Sequence, residues 1–110
     1  MDFEFIETVY FTKRLCGVLG DEDYSKLQEA LILRPEAGVV IPGTKGIRKL
    51  RWSLAGRGKR SGVRILYYLV LSDHEIYMLY LFKKSERADL ARDQLKALSH
   101  NMENYLRKRG

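Results

Sequence analysis

The sequence predicts an α+β fold: a small antiparallel sheet with two helices ahead of it and one behind. Helical patterns stand at the two ends of the chain. Tyr24, Leu27 and Leu31 recur at helical steps, and so do Ala91, Leu95, Leu98, Met102 and Tyr105. Between them, 47–54, 63–71 and 75–82 read as strands joined by short turns, which requires antiparallel pairing among the three. A chain of 110 residues has room for one modest core, so residues 1–110 are expected to form a single domain.

The elements follow in order. Phe3, Phe5 and the run from Ile6 to Tyr10 predict a first strand, with Glu4 and Glu7 blurring its alternation. Thr12 is placed to cap a short helix over 13–18, which Gly20 ends. Asp21 is an N-cap candidate for a second helix reaching Leu33, and Asp21, Glu22 and Asp23 complement the positive end of its dipole. Pro35 stops that helix and restricts Arg34. The loop from Pro35 to Gly46 carries Val39, Val40 and Ile41, an apolar trio expected to tuck against the domain. After the first two strands of the meander, Ser72 and Asp73 turn the chain into the third. Ser85 is placed to cap the last helix, and the tail after Tyr105 is expected to fray. The helices are expected to share one face of the sheet, leaving the other face basic.

Several classes are set aside by composition. The single cysteine, Cys16, allows no internal disulfide and is expected to be a small core residue beside Phe11, Leu15 and Val18. His74 and His100 stand alone, so neither a metal site nor a cofactor is expected. No window has the apolar length of a membrane span, and the N-terminus lacks a signal-peptide pattern, so a cytoplasmic protein with no membrane partner is expected.

The stretch from Lys45 to Arg64 carries the functional information. It holds Lys45, Arg48, Lys49, Arg51, Arg57, Lys59, Arg60 and Arg64, and no acid occurs between Glu36 and Asp73. The net charge is +6, yet the other 12 basic residues are outnumbered by the 14 acids, so this stretch alone makes the chain basic. Such a segregated field is the footprint of a polyanion binder, most often a nucleic-acid binder. It is also patterned. Leu50, Trp52 and Leu54 point one way while Lys49, Arg51 and Ser53 point the other. Gly56, Gly58 and Gly62 build a turn holding Arg57, Lys59 and Arg60, and Arg64 opens the next strand. A solvated hairpin serving only solubility does not require acids to be excluded over so long a window.

The segments GIRKLRW, GRGKRSGVRILYYL and IYMLYLFKKSERADL, in that order, resemble toxins of the RelE/ParE superfamily, most closely the HigB-like branch. The resemblance spans nearly the whole chain. It implies a RelE-like fold, a toxin held inactive by a cognate antitoxin, and action on mRNA in the ribosome as a metal-independent endoribonuclease. By position it implies that Lys49 and Arg51 are the catalytic basic pair, Arg64 the phosphate-binding arginine, and Lys83 or Lys84 the basic residue closing the last strand. Lys45, Arg48, Arg57, Lys59, Arg60 and Lys83 fall to RNA binding. The tyrosine such toxins carry in the following helix has no counterpart, since the positions read Ala88, Asp89, Leu90. Tyr68 and Trp52 are candidates to stack a base, though core positions suit both better.

RNA cleaves itself when its 2′-hydroxyl attacks the adjacent phosphate. A catalyst takes the 2′ proton, stabilises charge on phosphorus and protonates the leaving 5′ oxygen. Arginine only donates, which suits Arg51 and Arg64 to phosphate oxygens. Crowding by like charge helps a lysine act as base, and Lys49 lies between Arg48 and Arg51. A plain phosphate contact is the competing role for Lys49. Two further readings stay open: a ParE-like gyrase poison, and a non-catalytic RNA- or ribosome-binding module.

Overall fold

The computed structural model describes residues 2–53, 62–84 and 91–109. Its elements are β1 (Glu4–Glu7), α1 (Val9–Val18), α2 (Asp21–Leu33), β2 (Val39–Val40), β3 (Ile47–Trp52), β4 (Val63–Val70), β5 (Glu75–Lys83) and α3 (Arg92–Arg109). The sheet runs β1-β5-β4-β3-β2. The meander β3–β4–β5 is antiparallel as expected, and β2 adds antiparallel to β3. β1, however, pairs parallel to β5, from Glu4 beside Glu75 to Glu7 beside Met78, so the sheet is mixed.

β1 is shorter than the apolar run from Phe3 to Tyr10 implies, because Thr8 turns the chain. Its hydroxyl accepts the Phe11 N–H at 3.0 Å, making Thr8 and not Thr12 the cap of α1. The same hydroxyl donates to the Leu79 carbonyl at 2.8 Å, fastening the helix start to β5. Thr12 instead donates to Glu7 Oε1 at 2.7 Å. Tyr24 donates to Glu7 Oε2 at 2.8 Å, and burial with the Glu7 carboxylate beside it pushes the Tyr24 phenol well up. α2 takes Gly20 as its cap, so Asp21 lies inside the first turn with Glu22 and Asp23, where charge helps without a capping bond.

The helices do not share one face. α1 and α2 cover the first face with Phe11, Leu27 and Leu31, packed on Val63, Ile65, Tyr67, Ile76, Met78 and Leu81. α3 crosses the second face, where Met102 packs with Ile47, Leu66, Tyr77 and Leu79. On α1 the inward stripe is Phe11, Leu15 and Val18; Cys16 falls off it and is exposed, contrary to its expected core position. Val39 and Val40 also fail to tuck in. They form the edge strand β2 with exposed side chains, and only Ile41 of the trio packs against the second core.

α3 does not fray before its last residue. Arg109 donates to Asp73, to Glu75 and to the Tyr77 hydroxyl, pinning the helix end to the β4–β5 turn. Its middle is held by Ser99, whose hydroxyl donates to the Thr44 carbonyl at 2.6 Å. The Ser85 cap falls outside the described residues.

Candidate nucleic-acid interface

Strand alternation sorts the predicted site residues onto two faces. On the α3 face, Arg51 stands directly opposite Arg64, and Lys49 stands opposite Leu66 on the next rung of the same side. Arg51 is exposed, while Lys49 and Arg64 are half-buried. Like charges facing each other across a ladder oppose pairing, and this rung holds two arginines. Three of the four residues expected to be catalytic are therefore brought together on this face, with Lys49 beside Leu66 at the margin of the α3 core.

Arg48 is not among them. It points to the α1–α2 side, beside Tyr67 in the ladder. Its guanidinium donates to the carbonyls of Gly38 at 2.7 Å and Glu36 at 3.3 Å, with the Glu36 carboxylate 3.7 Å away. Tyr67 works on the same loop, accepting the Gly38 N–H at 2.8 Å and donating to the Pro35 carbonyl at 2.8 Å. Burial raises the Tyr67 phenol, so it stays a neutral donor. Gly38 has to be glycine here, because a Cβ would lie 2.8 Å from the Tyr67 ring. The expected crowding of Lys49 by Arg48 is thereby corrected: its same-face cationic neighbours are Arg51 and Arg64.

Lys45, in a left-handed conformation (φ 59°), makes an ion pair with Glu103 of α3 at 3.0 Å. Lys83 lines up with Val63 and Trp52, on the α1–α2 side away from Lys49. Lys84 follows at the strand end, exposed, with its N–H on the Gly62 carbonyl at 2.9 Å. Arg57, Lys59 and Arg60 lie outside the described residues, as does the Ala88, Asp89, Leu90 run. Trp52 packs against the first core and Tyr68 against the second, which is the core role weighed for both.

Two residues that sequence reasoning passed over reach the cationic side. β5 carries an extra residue, Leu79, between the pairs Leu66–Tyr80 and Tyr67–Met78. Before this bulge Ile76 and Met78 face the first core; after it Leu81 does, and Tyr80 and Phe82 swing to the opposite side. Beyond β1 the outer edge of β5 is covered by α1, and Arg14 donates from Nε to the Leu81 carbonyl at 2.6 Å. Its guanidinium carbon then lies 5.2 Å from the Tyr80 ring centre. Among the described residues, the ladder positions of this patch hold no carboxylate or imidazole, and no group of three His, Cys, Asp or Glu side chains is placed to hold a metal ion.

This arrangement of helices on a five-stranded sheet is the RelE-like architecture. An arginine double mutant of the Escherichia coli toxin RelE in the free state superposes with a TM-score of 0.58 at 17% identity, covering 93% of this chain and 98% of that one. The isolated E. coli RelE toxin matches with a TM-score of 0.52 at 16% identity over 94% and 99% of the two chains. A chain of the archaeal RelE–RelB complex from Pyrococcus horikoshii OT3 matches with a TM-score of 0.52 at 20% identity, covering 80% of this chain and all of that one. No protein-family model matches the sequence.

Proposed function

We propose that this single-domain protein is the toxin of a type II toxin–antitoxin pair, of HigB-like character, acting in the cytoplasm as a ribosome-dependent mRNA endonuclease. The Arg51–Arg64 rung with Lys49 beside it carries the reading. A chain that sets two arginines opposite each other lowers its own stability, and a bound polyanion offsets that repulsion. The fold shared with RelE toxins supports the toxin class, and the RelE–RelB complex among those structures supports an antitoxin partner.

In this mechanism Arg51 and Arg64 fork onto the oxygens of the scissile phosphate and stabilise its extra charge. Lys49, on the adjacent rung, removes the 2′ proton. As the 2′ oxygen bonds to phosphorus and the bond to the 5′ oxygen breaks, the ammonium of Lys84, just beyond β5, gives the leaving 5′ oxygen its proton, and Arg57, Lys59 and Arg60 contribute to RNA binding. No metal or small-molecule cofactor takes part.

Mapping mRNA 5′ ends after induction tests this directly. Internal cuts placed by codon are the expected result. DNA breaks with an SOS response indicate gyrase poisoning instead, and stalled but intact mRNA indicates a binding module. Lys49→Arg keeps charge and stem but removes a group able to lose a proton. It should bind programmed ribosomes normally yet cut at least tenfold more slowly, about 1.4 kcal/mol of transition-state stabilisation. Cutting at the parent rate would reduce Lys49 to a phosphate contact. Harmless high-level expression without an antitoxin would sink the toxin reading.

A further inference from the structure

We propose that the β5 bulge and Arg14 together build a base-stacking subsite at Tyr80, which receives a nucleobase of a single-stranded RNA whose phosphate sits on Lys49, Arg51 and Arg64. This inference rests on the RNA reading above and adds a specificity element to it.

The geometry comes from three separate parts of the chain. Without the extra residue at Leu79, Tyr80 would follow Ile76 and Met78 into the core under α1 and α2. The bulge re-aims it onto the cationic side, in the rung Lys49–Leu66–Tyr80. Two strand spacings separate Lys49 from Tyr80, about 10 Å between backbones. One nucleotide spans such a distance with its phosphate at one end and its base at the other.

The ring is held for the task. Arg14 is anchored by its Nε–H on the Leu81 carbonyl, and its guanidinium lies over the Tyr80 ring. Phe82 packs near Tyr80 with ring centres 6.1 Å apart and tilted by 39°. Phe82 is buried, whereas Tyr80 packs partly against the second core and keeps the rest of its surface open. A half-open aromatic beside a row of cations is the combination that binds single strands: charge tracks the backbone and the ring takes a base. Arg14 contributes twice, by positioning the ring through a cation–π contact and by extending positive charge from β4 across β5.

The test uses the full-length protein and a single-stranded RNA carrying 2-aminopurine, 2′-O-methylated so that cleavage does not enter. Stacking on Tyr80 quenches the 2-aminopurine fluorescence. Tyr80→Leu should bind about fivefold more weakly or worse and lose the quenching. Tyr80→Phe, which keeps the ring, should behave as the parent. Arg14→Gln retains a donor for Leu81 but no charge, and should flatten the dependence of log affinity on log salt by about 0.7. It provides a second arm should Tyr80→Leu melt early. Parent-like affinity and quenching in a folded Tyr80→Leu protein, or an unchanged salt slope in Arg14→Gln, overturns the subsite while leaving the RNA reading intact. A parent protein that fails to bind the RNA overturns the reading and the subsite together.

Discussion

The two faces of the sheet use the same strands for different ends. On the α1–α2 face, every described strand position near the centre of β4 and β5 is apolar or a bonded phenol, and the one arginine that β3 sends there donates to two backbone carbonyls and lies 3.7 Å from the Glu36 carboxylate. On the other face, α3 covers the part lined by Ile47, Leu66, Tyr77 and Leu79, and the rest carries Lys49, Arg51 and Arg64. Arg48 and Arg51 are three residues apart in one strand, yet one serves the fold and the other leaves a repulsion inside it. An arginine's role is thus set by what its face offers.

The comparison breaks most visibly if the faces contribute equally to stability. Phe11 is fully buried among the residues of the first core, so Phe11→Ala should cost about 3–5 kcal/mol in denaturant unfolding. Met102 sits at the rim of the second core at 6% exposure, and Met102→Ala should cost less, near 2 kcal/mol. An equal or larger loss at Met102 would show that α3 carries as much of the fold as α1 and α2.

Tyr67→Phe should follow with about 1–3 kcal/mol, since it leaves the Gly38 N–H and the Pro35 carbonyl without their partner. RNA affinity should be unchanged, because the phenol serves the face away from the cations.

The arginine pair sharpens the contrast further. Arg48→Gln should lower stability by about 1 kcal/mol and leave the salt dependence of RNA binding alone. Arg51→Gln should do the reverse. It should stabilise the fold by about 0.2–1 kcal/mol by relieving Arg64, and flatten the log–log salt slope by about 0.7. Thermal melts and titrations at two salt concentrations read both, and matching signs would dissolve the distinction between the faces.

The smallest effect concerns the anchor of α3. Hydrogen bonding to Arg109 holds the Glu75 carboxyl below its ordinary range. A depressed carboxyl contributes stability above its unfolded pKa, about 4.3, and loses it as pH falls through the folded value. Acidification below about pH 4 should therefore loosen the end of α3 in the parent, and Glu75→Gln should flatten that acid limb in pH-dependent unfolding.

The sequence by itself determined the order of helices and main strands, though not the short edge strand β2, together with the strands of the meander, the stop at Pro35 and the segregation of cations on the Lys49 and Arg51 side of β3. Each of these is written in periodicities a few residues long, so no distant partner is needed to see it. The resemblance, not periodicity, named Lys49, Arg51 and Arg64 as candidates; alternation puts Lys49 and Arg51 on one side of β3, and the register of β3 on β4 brings Arg64 opposite Arg51. What only the tertiary structure decided involves pairing across the chain. Thr8 caps α1 because its hydroxyl also reaches Leu79, 71 positions away. β1 runs parallel to β5, a pairing of Glu4 with Glu75 made across both N-terminal helices and the first two strands of the meander. Tyr80 reaches the cationic side because a one-residue bulge, set by the match of β4 to β5, reverses the alternation that its own strand displays. Arg14 joins it because α1 closes the part of the β5 edge that β1 is too short to cover. A register shift of one residue moves a side chain across the whole thickness of the sheet, and local sequence carries no record of that shift.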